Sequence, residues 1–372
     1  MRRCLLTLVV MSLAACTGTT GDAPLIPTTS SAASSILSTT PASDTTSVVQ
    51  PQTTLSTAST TTTTLPSALA PEDLVFESFP VPSGSHPHDV APALDGGVWY
   101  TAQNAGELGW LDPATGETRH TDLGASSSPH GVIVDTAGTA WVTDSGLNAM
   151  VAVDPAGLEI TVYPLPDDRP GANLNTSTID GDGMIWFTGQ SGVYGRLDPD
   201  TGDMVVFDAP EGRGPYGITT TPAGEVYYAS LAGSFVGLID DDGTTTVLEP
   251  PTPEQGARRV WSDSQGGIWV SEWNAGNLSR YAPDSEDWET WHLPGDSPQT
   301  YAVYVDEADM VWASDFGSNS IVRFDPMTEQ FHAYPLPHNP GNVRQILGRP
   351  GEVWFSESAA DSLAVIRTMG EP

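Results

Sequence analysis

Two sets of polar residues recur through this chain at one interval, and their types suit acid–base work. The first is His88, His130, Asn175, Tyr216, Arg258, Tyr301 and Val343. The second is Ala102, Asp144, Gly189, Ser230, Glu272, Asp315 and Glu357. Five members of the first set are ionisable or phenolic groups other than carboxylates, and four of the second are carboxylates. Imidazoles, guanidinium groups and carboxylates facing one another around a concave opening could move protons or hold a metal. Arg259 and Arg344 follow the first set by one position and are expected to reach the same opening. A structural role stays open for each residue: an acid after a strand can cap a loop, and a histidine after proline can bond loop backbone.

What positions these residues is a repeat. The first set lies eleven residues before, and the second three residues after, an aromatic that recurs near every 42 residues: Trp99, Trp141, Trp186, Tyr227, Trp269, Trp312 and Trp354. Each copy holds four short apolar runs rich in β-branched and aromatic residues, separated by Gly, Asp or Asp-Pro turns. A period of ~40–45 residues made of about four strands is the mark of a propeller blade. Seven copies predict an all-β, seven-bladed β-propeller with four antiparallel strands per blade, spanning 72–368. Repeat two places its strands at 131–134, 140–143, 149–153 and 160–163. The seventh copy stops after its third strand near Arg367, and a stray strand, 74–80, resembles the fourth strands of the other copies. That N-terminal strand is expected to close the ring, which removes two unpaired sheet edges. In such a blade the first strand begins, and the second ends, on the face around the channel mouth. Both residue sets therefore fall on one face.

Outside the ring, 1–15 reads as an export signal, with Arg2 and Arg3 ahead of an apolar run, Leu5 to Leu13. That run is too short to span a bilayer as a stable helix. Leu13-Ala14-Ala15-Cys16 resembles a bacterial lipobox, which implies lipidation of Cys16 and an extracytoplasmic protein held on a bacterial membrane by that anchor alone. Residues 16–71 are rich in Ser, Thr and Pro, include five threonines in a row at Thr60–Thr64, and read as a disordered stalk. The chain has 13 basic residues, all Arg, against 47 acidic ones, for a net charge of −34. This excess repels nucleic acid. The lack of Lys excludes Schiff-base and pyridoxal chemistry. Cys4 and Cys16 are the only cysteines, so the ring holds no disulfide. A monomer with a small-molecule or peptide ligand at the mouth is expected.

The units Pro129-His130-Gly131-Val132, Trp186-Phe187-Thr188-Gly189 and Val270-Ser271-Glu272-Trp273-Asn274 resemble the repeats of the virginiamycin B lyase (streptogramin lyase) family. The resemblance covers about 75 to 367. It implies a carbon–oxygen lyase that opens a cyclic depsipeptide at its ester by elimination, using two histidines from adjacent blades, a following glutamate, and Mg²⁺. Carried onto this chain, the histidines match His88 and His130, and the acid matches Asp144, which would also be the metal ligand. Asn175, Tyr216, Arg258, Arg259, Tyr301, Glu272, Asp315, Arg344 and Glu357 would line the substrate site. The chain departs from the family in placing its histidine pair in the first two repeats and in carrying Asp for Glu. Two other readings stay open. One is a non-catalytic propeller that binds a ligand or partner. The other is a metal-dependent lactonase-type hydrolase built on Glu357, Asn175 and Asp315. No G-x-S-x-G elbow or H-E-x-x-H pair is present. Asp198-Pro199-Asp200-Thr201-Gly202-Asp203 reads as a hairpin turn rather than a calcium loop.

Overall fold

The structure is a computed structural model that describes residues 70–369, apart from 158, 211 and 241. Cys16, the export signal and the stalk up to residue 69 lie outside the described residues. Seven four-stranded antiparallel sheets form the seven blades. The innermost strands are Pro87–Pro92, Pro129–Val134, Leu174–Ile179, Pro215–Thr220, Ala257–Ser262, Thr300–Val305 and Ile346–Arg349. In blade two, the first, second and fourth strands run one or two residues beyond the sequence-based bounds: Pro129–Val134, Ala140–Asp144 and Ile160–Pro164. Asp198 accepts the N–H groups of Asp200 and Thr201, as a hairpin turn requires. No helix among the described residues is long and apolar enough to cross a membrane.

The repeated aromatic explains why the ring holds. Each one is buried and packs across a seam onto the next blade. Trp99 lies in a cluster with Val132 and Val142 of blade two. Trp312 lies with Ile346 and Phe355 of blade seven, and Trp354 with Val90 and Tyr100 of blade one. The apolar core is thus a set of seams around the ring, and the centre is left for polar groups. Four of the indole N–H groups are satisfied by an acid six residues earlier: Trp141 by Asp135, Trp186 by Asp180, Trp269 by Asp263 and Trp312 by Asp306, at 2.7–3.1 Å. In blade four the aromatic is Tyr227, which has no such donor, and the acid is replaced by Thr221.

The outermost strand of blade seven is Phe76–Pro80, paired antiparallel with Ser362–Arg367 from Phe76↔Ile366 to Pro80↔Ser362. Phe79 stacks on Trp354 at 5.6 Å, and Phe76 meets Phe355 edge to face at 5.7 Å. The packed ring begins a little earlier than the strand, because the Tyr334 hydroxyl donates to the Pro71 carbonyl at 3.0 Å. Burial of a side chain such as Phe79 contributes about 1.5–3 kcal/mol, and Phe76, partly buried, adds less. A chain beginning at residue 83 should therefore melt well below one beginning at residue 70, as read by thermal unfolding. Equal melting temperatures would show that the closure adds nothing.

Candidate functional site

The mouth is built by a deformation that recurs in the innermost strands. In blades one to six the pairing slips by one residue near the strand start, for example between Pro87↔Ala102 and Val90↔Tyr100, and likewise between Leu174 and Ser177. An extra residue in one strand is a β-bulge, which re-aims side chains. Here it brings consecutive residues, such as His88 and Asp89 or Arg258 and Arg259, into one polar centre.

A belt of hydroxyls then fixes these strands against one another. The residue two past the repeated aromatic is Thr or Ser in six blades, and each donates to a carbonyl of the next blade. Ser356 donates to the His88 carbonyl, Thr101 to His130, Thr143 to Asn175, Thr188 to Tyr216, Ser271 to Tyr301 and Ser314 to Val343. The same hydroxyls accept the next N–H of their own blade, as Thr101 does from Asp89 at 3.0 Å and Thr143 from Gly131 at 2.8 Å. Gly131 is needed there: a Cβ would lie 2.6 Å from the Asn175 carbonyl oxygen. Blade four has Ala229 at this position.

The structure brings His88 and His130 together, with ring centroids 3.8 Å apart and both side chains buried. Nδ1 of His88 lies 2.7 Å from Oδ1 of Asp89. A carboxylate only accepts, so the proton sits on Nδ1, and Nε2 carries a lone pair with no partner among the described residues. His130 is different. Its Nδ1 faces the Asn175 carbonyl at 3.0 Å, so it donates there, and Nε2 accepts from Asn175 Nδ2 at 3.2 Å. Both of its nitrogens are therefore occupied.

Arg259 sets the direction of this network. Its guanidinium donates to Asp89 Oδ1 at 3.1 Å and to Thr176 Oγ1 at 2.5 Å. Thr176 must then use its own proton on Asn175 Oδ1, 2.9 Å away. That leaves the Asn175 amide N–H to face His130. Because Arg259 has donors only, each proton along the chain has one place to go.

Burial holds both histidines well below the usual imidazole range, so each is neutral. Arg259 and Arg344 push His88 further down, and His88 does the same to His130. Burial pushes the Asp89 carboxyl up, against the pull of Arg259. The unfolded chain therefore takes up more protons than the native one once pH falls below about 6.5. The histidines' contribution to stability is complete above that pH and is lost as pH drops toward their native values. Urea unfolding at pH 7.5 and pH 5.5 should show the protein less stable at the lower pH. His130→Asn should flatten the difference; an unchanged slope would show that His130 is not buried neutral.

Opposite the histidines, Arg258 lies over the Tyr301 ring at 3.6 Å and over Tyr216 and Trp273 at 4.7 Å each. Phe316 stacks on Tyr301 at 4.9 Å. The Tyr216 and Tyr301 hydroxyls meet at 2.5 Å, and Arg258 donates to Tyr216 at 3.3 Å. Burial opposes ionisation of Tyr216, but Arg258 and Arg259 outweigh it and hold the phenol below its ordinary value, whereas burial pushes Tyr301 up.

The second residue set behaves otherwise. Asp144 does not join the histidines: Oδ1 accepts the N–H groups of Ser128, Gly146 and Leu147, each at 2.9 Å, and Oδ2 accepts Ser127 Oγ at 2.5 Å. It caps a loop, and Asp315 does the same with Gln299, Gly317 and Ser318. Glu272 accepts Asn277 Nδ2 and Ser279 Oγ, and burial pushes its carboxyl up. Glu357 accepts the His338 backbone N–H and lies 2.8 Å from His338 Nδ1. Of the lactonase-type set, Glu357 and Asp315 are engaged with neighbouring loop residues, whereas Asn175 bonds His130 and Thr176. Arg344 donates to Ser358 Oγ at 2.5 Å. Asp89 is the acid that the sequence reasoning missed, although it occupies the same register as Arg259 and Arg344.

Ligand atoms of His88, Asp89 and His130 lie within 4.8 Å of one another. They do not suit Mg²⁺, which asks for near-octahedral oxygen donors. The cluster offers two imidazoles and one carboxylate, and that carboxylate already holds Arg259 and the His88 proton.

Residues 67–314 and 123–372 each match the virginiamycin B lyase family. Virginiamycin B lyase of Nocardia farcinica is 28% identical over 205 residues, which cover 46% of this chain and 72% of that protein. A streptogramin B lyase structure aligns with a TM-score of 0.73 and 22% identity, over 79% of this chain and 97% of that one. A catalytically inactive histidine-to-alanine variant of virginiamycin B lyase from Staphylococcus aureus with quinupristin aligns equally well, at 0.73 and 19% identity, over 79% of this chain and 99% of that one. At such identities the likeness of the structures establishes the fold.

Proposed function

Because the chain belongs to the virginiamycin B lyase family, we propose that its channel mouth opens a cyclic peptide ester by elimination, with His88 as the base. The observation that carries this reading is the 2.7 Å contact between His88 Nδ1 and Asp89, which leaves the Nε2 lone pair of a buried, neutral ring without a partner among the described residues. A base must be unprotonated, oriented and free, and His88 meets all three conditions.

In the step we assign, His88 Nε2 takes the proton from the carbon α to a carbonyl. The C–H electrons form the Cα=Cβ bond, and the Cβ–O bond breaks. Its electron pair leaves with the ester carboxylate, which Arg258 can accept bidentately. Asp89 stabilises the imidazolium that forms, and Arg259 favours the ionised form of Asp89 against the effect of burial. His130 supports the wall of the site through Asn175. No step is routed through a metal.

Quinupristin is the natural probe, because the Staphylococcus aureus lyase variant above is a structure with that compound. Incubation should give a linear product of unchanged mass with a new C=C bond, read by mass spectrometry and ultraviolet absorbance. A product heavier by one water would mean hydrolysis. The full engagement of His130 with Asn175 favours a second reading, ligand capture without turnover, which predicts saturable binding and no product.

We also propose that the protein works at the cell surface, anchored through Cys16. The lipobox-like Leu13-Ala14-Ala15-Cys16 supports this. Wild type should partition with membranes and Cys16→Ala should not; wild type found wholly in the medium with an unmodified N-terminus would remove the anchor.

A further inference from the structure

The mouth carries a charge that its surroundings do not explain. Acids outnumber bases 47 to 13 in this chain. Five arginines elsewhere pair with them: Arg119, Arg169, Arg280, Arg349 and Arg367 each have a carboxylate within 4.0 Å, whereas Arg196 and Arg323 lie over Trp186 and Trp312 and Arg213 is exposed. Arg258 and Arg344, both partly buried at the mouth, pair with none among the described residues. Arg258 has aromatic faces and the Tyr216 hydroxyl instead, and its Nε is buried without a partner. Arg344 has the Ser358 hydroxyl. A guanidinium taken out of water without a counter-charge is costly. An anion that enters the mouth would offset that cost.

The acids of the second residue set are turned away. Asp144, Glu272, Asp315 and Glu357 are spent on loop and strand donors, as described above. Of the acids described above, Asp89 is the one that bonds a histidine of the cluster, and Arg259 pairs with it at 3.1 Å. Three guanidinium groups thus surround two neutral imidazoles with one carboxylate between them. Arg259 meets Asp89 beside His88, Arg258 lies over Tyr216, whose ring is 6.4 Å from that of His130, and Arg344 holds in blade seven the register position that Asp89 holds in the adjoining blade one. A divalent cation would meet this excess of positive charge. To reach Asp89 it would also have to displace Arg259 and the His88 Nδ1 proton.

We propose that this mouth works without a divalent cation and takes a ligand bearing a carboxylate, held by Arg258 and Arg344 beside His88. The inference rests on the reading of the mouth as the working site, but not on turnover. A planar carboxylate fits the fork of a guanidinium. The half-buried rings of Phe316, stacked on Tyr301, and Trp273, edge to face with both, supply a surface for an aromatic or apolar body on that ligand. In the elimination proposed above, the released group is such a carboxylate.

The test uses the full chain after EDTA treatment and dialysis, with calorimetric titration of benzoate, benzamide, inorganic phosphate, Mg²⁺ and Mn²⁺. Benzoate is expected to bind and benzamide, its uncharged counterpart, is not. Neither metal should bind at the mouth or alter the benzoate affinity. Arg258→Gln and Arg344→Gln should each weaken benzoate at least ~10-fold, the scale of one lost charge-assisted hydrogen bond. If Arg258→Gln fails to fold, Arg258→Lys retains the charge, loses the fork, and should still weaken benzoate measurably. Unchanged benzoate affinity in the folded variants would overturn the proposal. So would phosphate binding tighter than benzoate, or stoichiometric metal binding that Asp89→Asn abolishes. Quinupristin turnover that EDTA stops would sink this proposal and leave the lyase reading standing. Benzoate binding through the arginines with no turnover would sink the lyase reading and leave this one.

Discussion

His88→Ala is expected to lower kcat/KM for a cyclic depsipeptide ester at least ~100-fold, the usual scale for losing a general base. The effect should fall on kcat, as expected of a group that acts in the proton transfer. His130→Ala should cost less, since its nitrogens are committed to Asn175 at 3.0 and 3.2 Å and cannot take a substrate proton without breaking that contact. This asymmetry comes from the hydrogen bonds; two equivalent histidines would lose activity equally. The acid limb of the wild-type pH profile should lie below 6.5, because burial and Arg259 keep His88 neutral. Rates in His88→Ala within a few fold of wild type would withdraw His88 as the base.

Arg259→Met should carry the largest stability effect. Arg259 and Asp89 are 4% and 1% exposed, so the substitution leaves a buried carboxylate without its partner. Breaking a buried pair in this way costs about 3–5 kcal/mol. Urea unfolding should show the loss. Asp89→Asn combined with Arg259→Met should recover part of it, because the orphaned charge is then gone. The single variant should also raise the pKa of His88, since Arg259 is one of the charges that lower it. Any residual activity should therefore show its acid limb at higher pH. Additive losses in the double variant would mean that the two groups do not act as a pair.

The ring itself was legible in the sequence because each seam is made the same way. A blade must bury one large aromatic against its neighbour and turn tightly at an Asp or Gly, so Trp99, Trp141, Trp186, Tyr227, Trp269, Trp312 and Trp354 expose the period directly. The closing strand was legible for the same reason: the outer edge of the last blade needs a partner, and 74–80 has the pattern of one. Register alone was also enough to bring His88 and His130 to one mouth, since equivalent positions in neighbouring blades must be neighbours around the channel.

What each mouth residue does was decided by the tertiary structure. Asp144 and Asp89 are both aspartates near the channel. Only the loop conformation at Gly146 and Leu147, whose N–H groups converge on Asp144, turns that acid away from the histidines. Only the bulge in Pro87–Pro92 brings Asp89 inward. Asp89 and Arg259 are 170 residues apart and meet because the ring closes. The proton positions on His88 and His130 follow from that meeting, through Thr176 and Asn175. Periodicity records what is repeated at every seam, whereas a site made of unlike residues from several blades depends on distances across the channel, which no local pattern encodes.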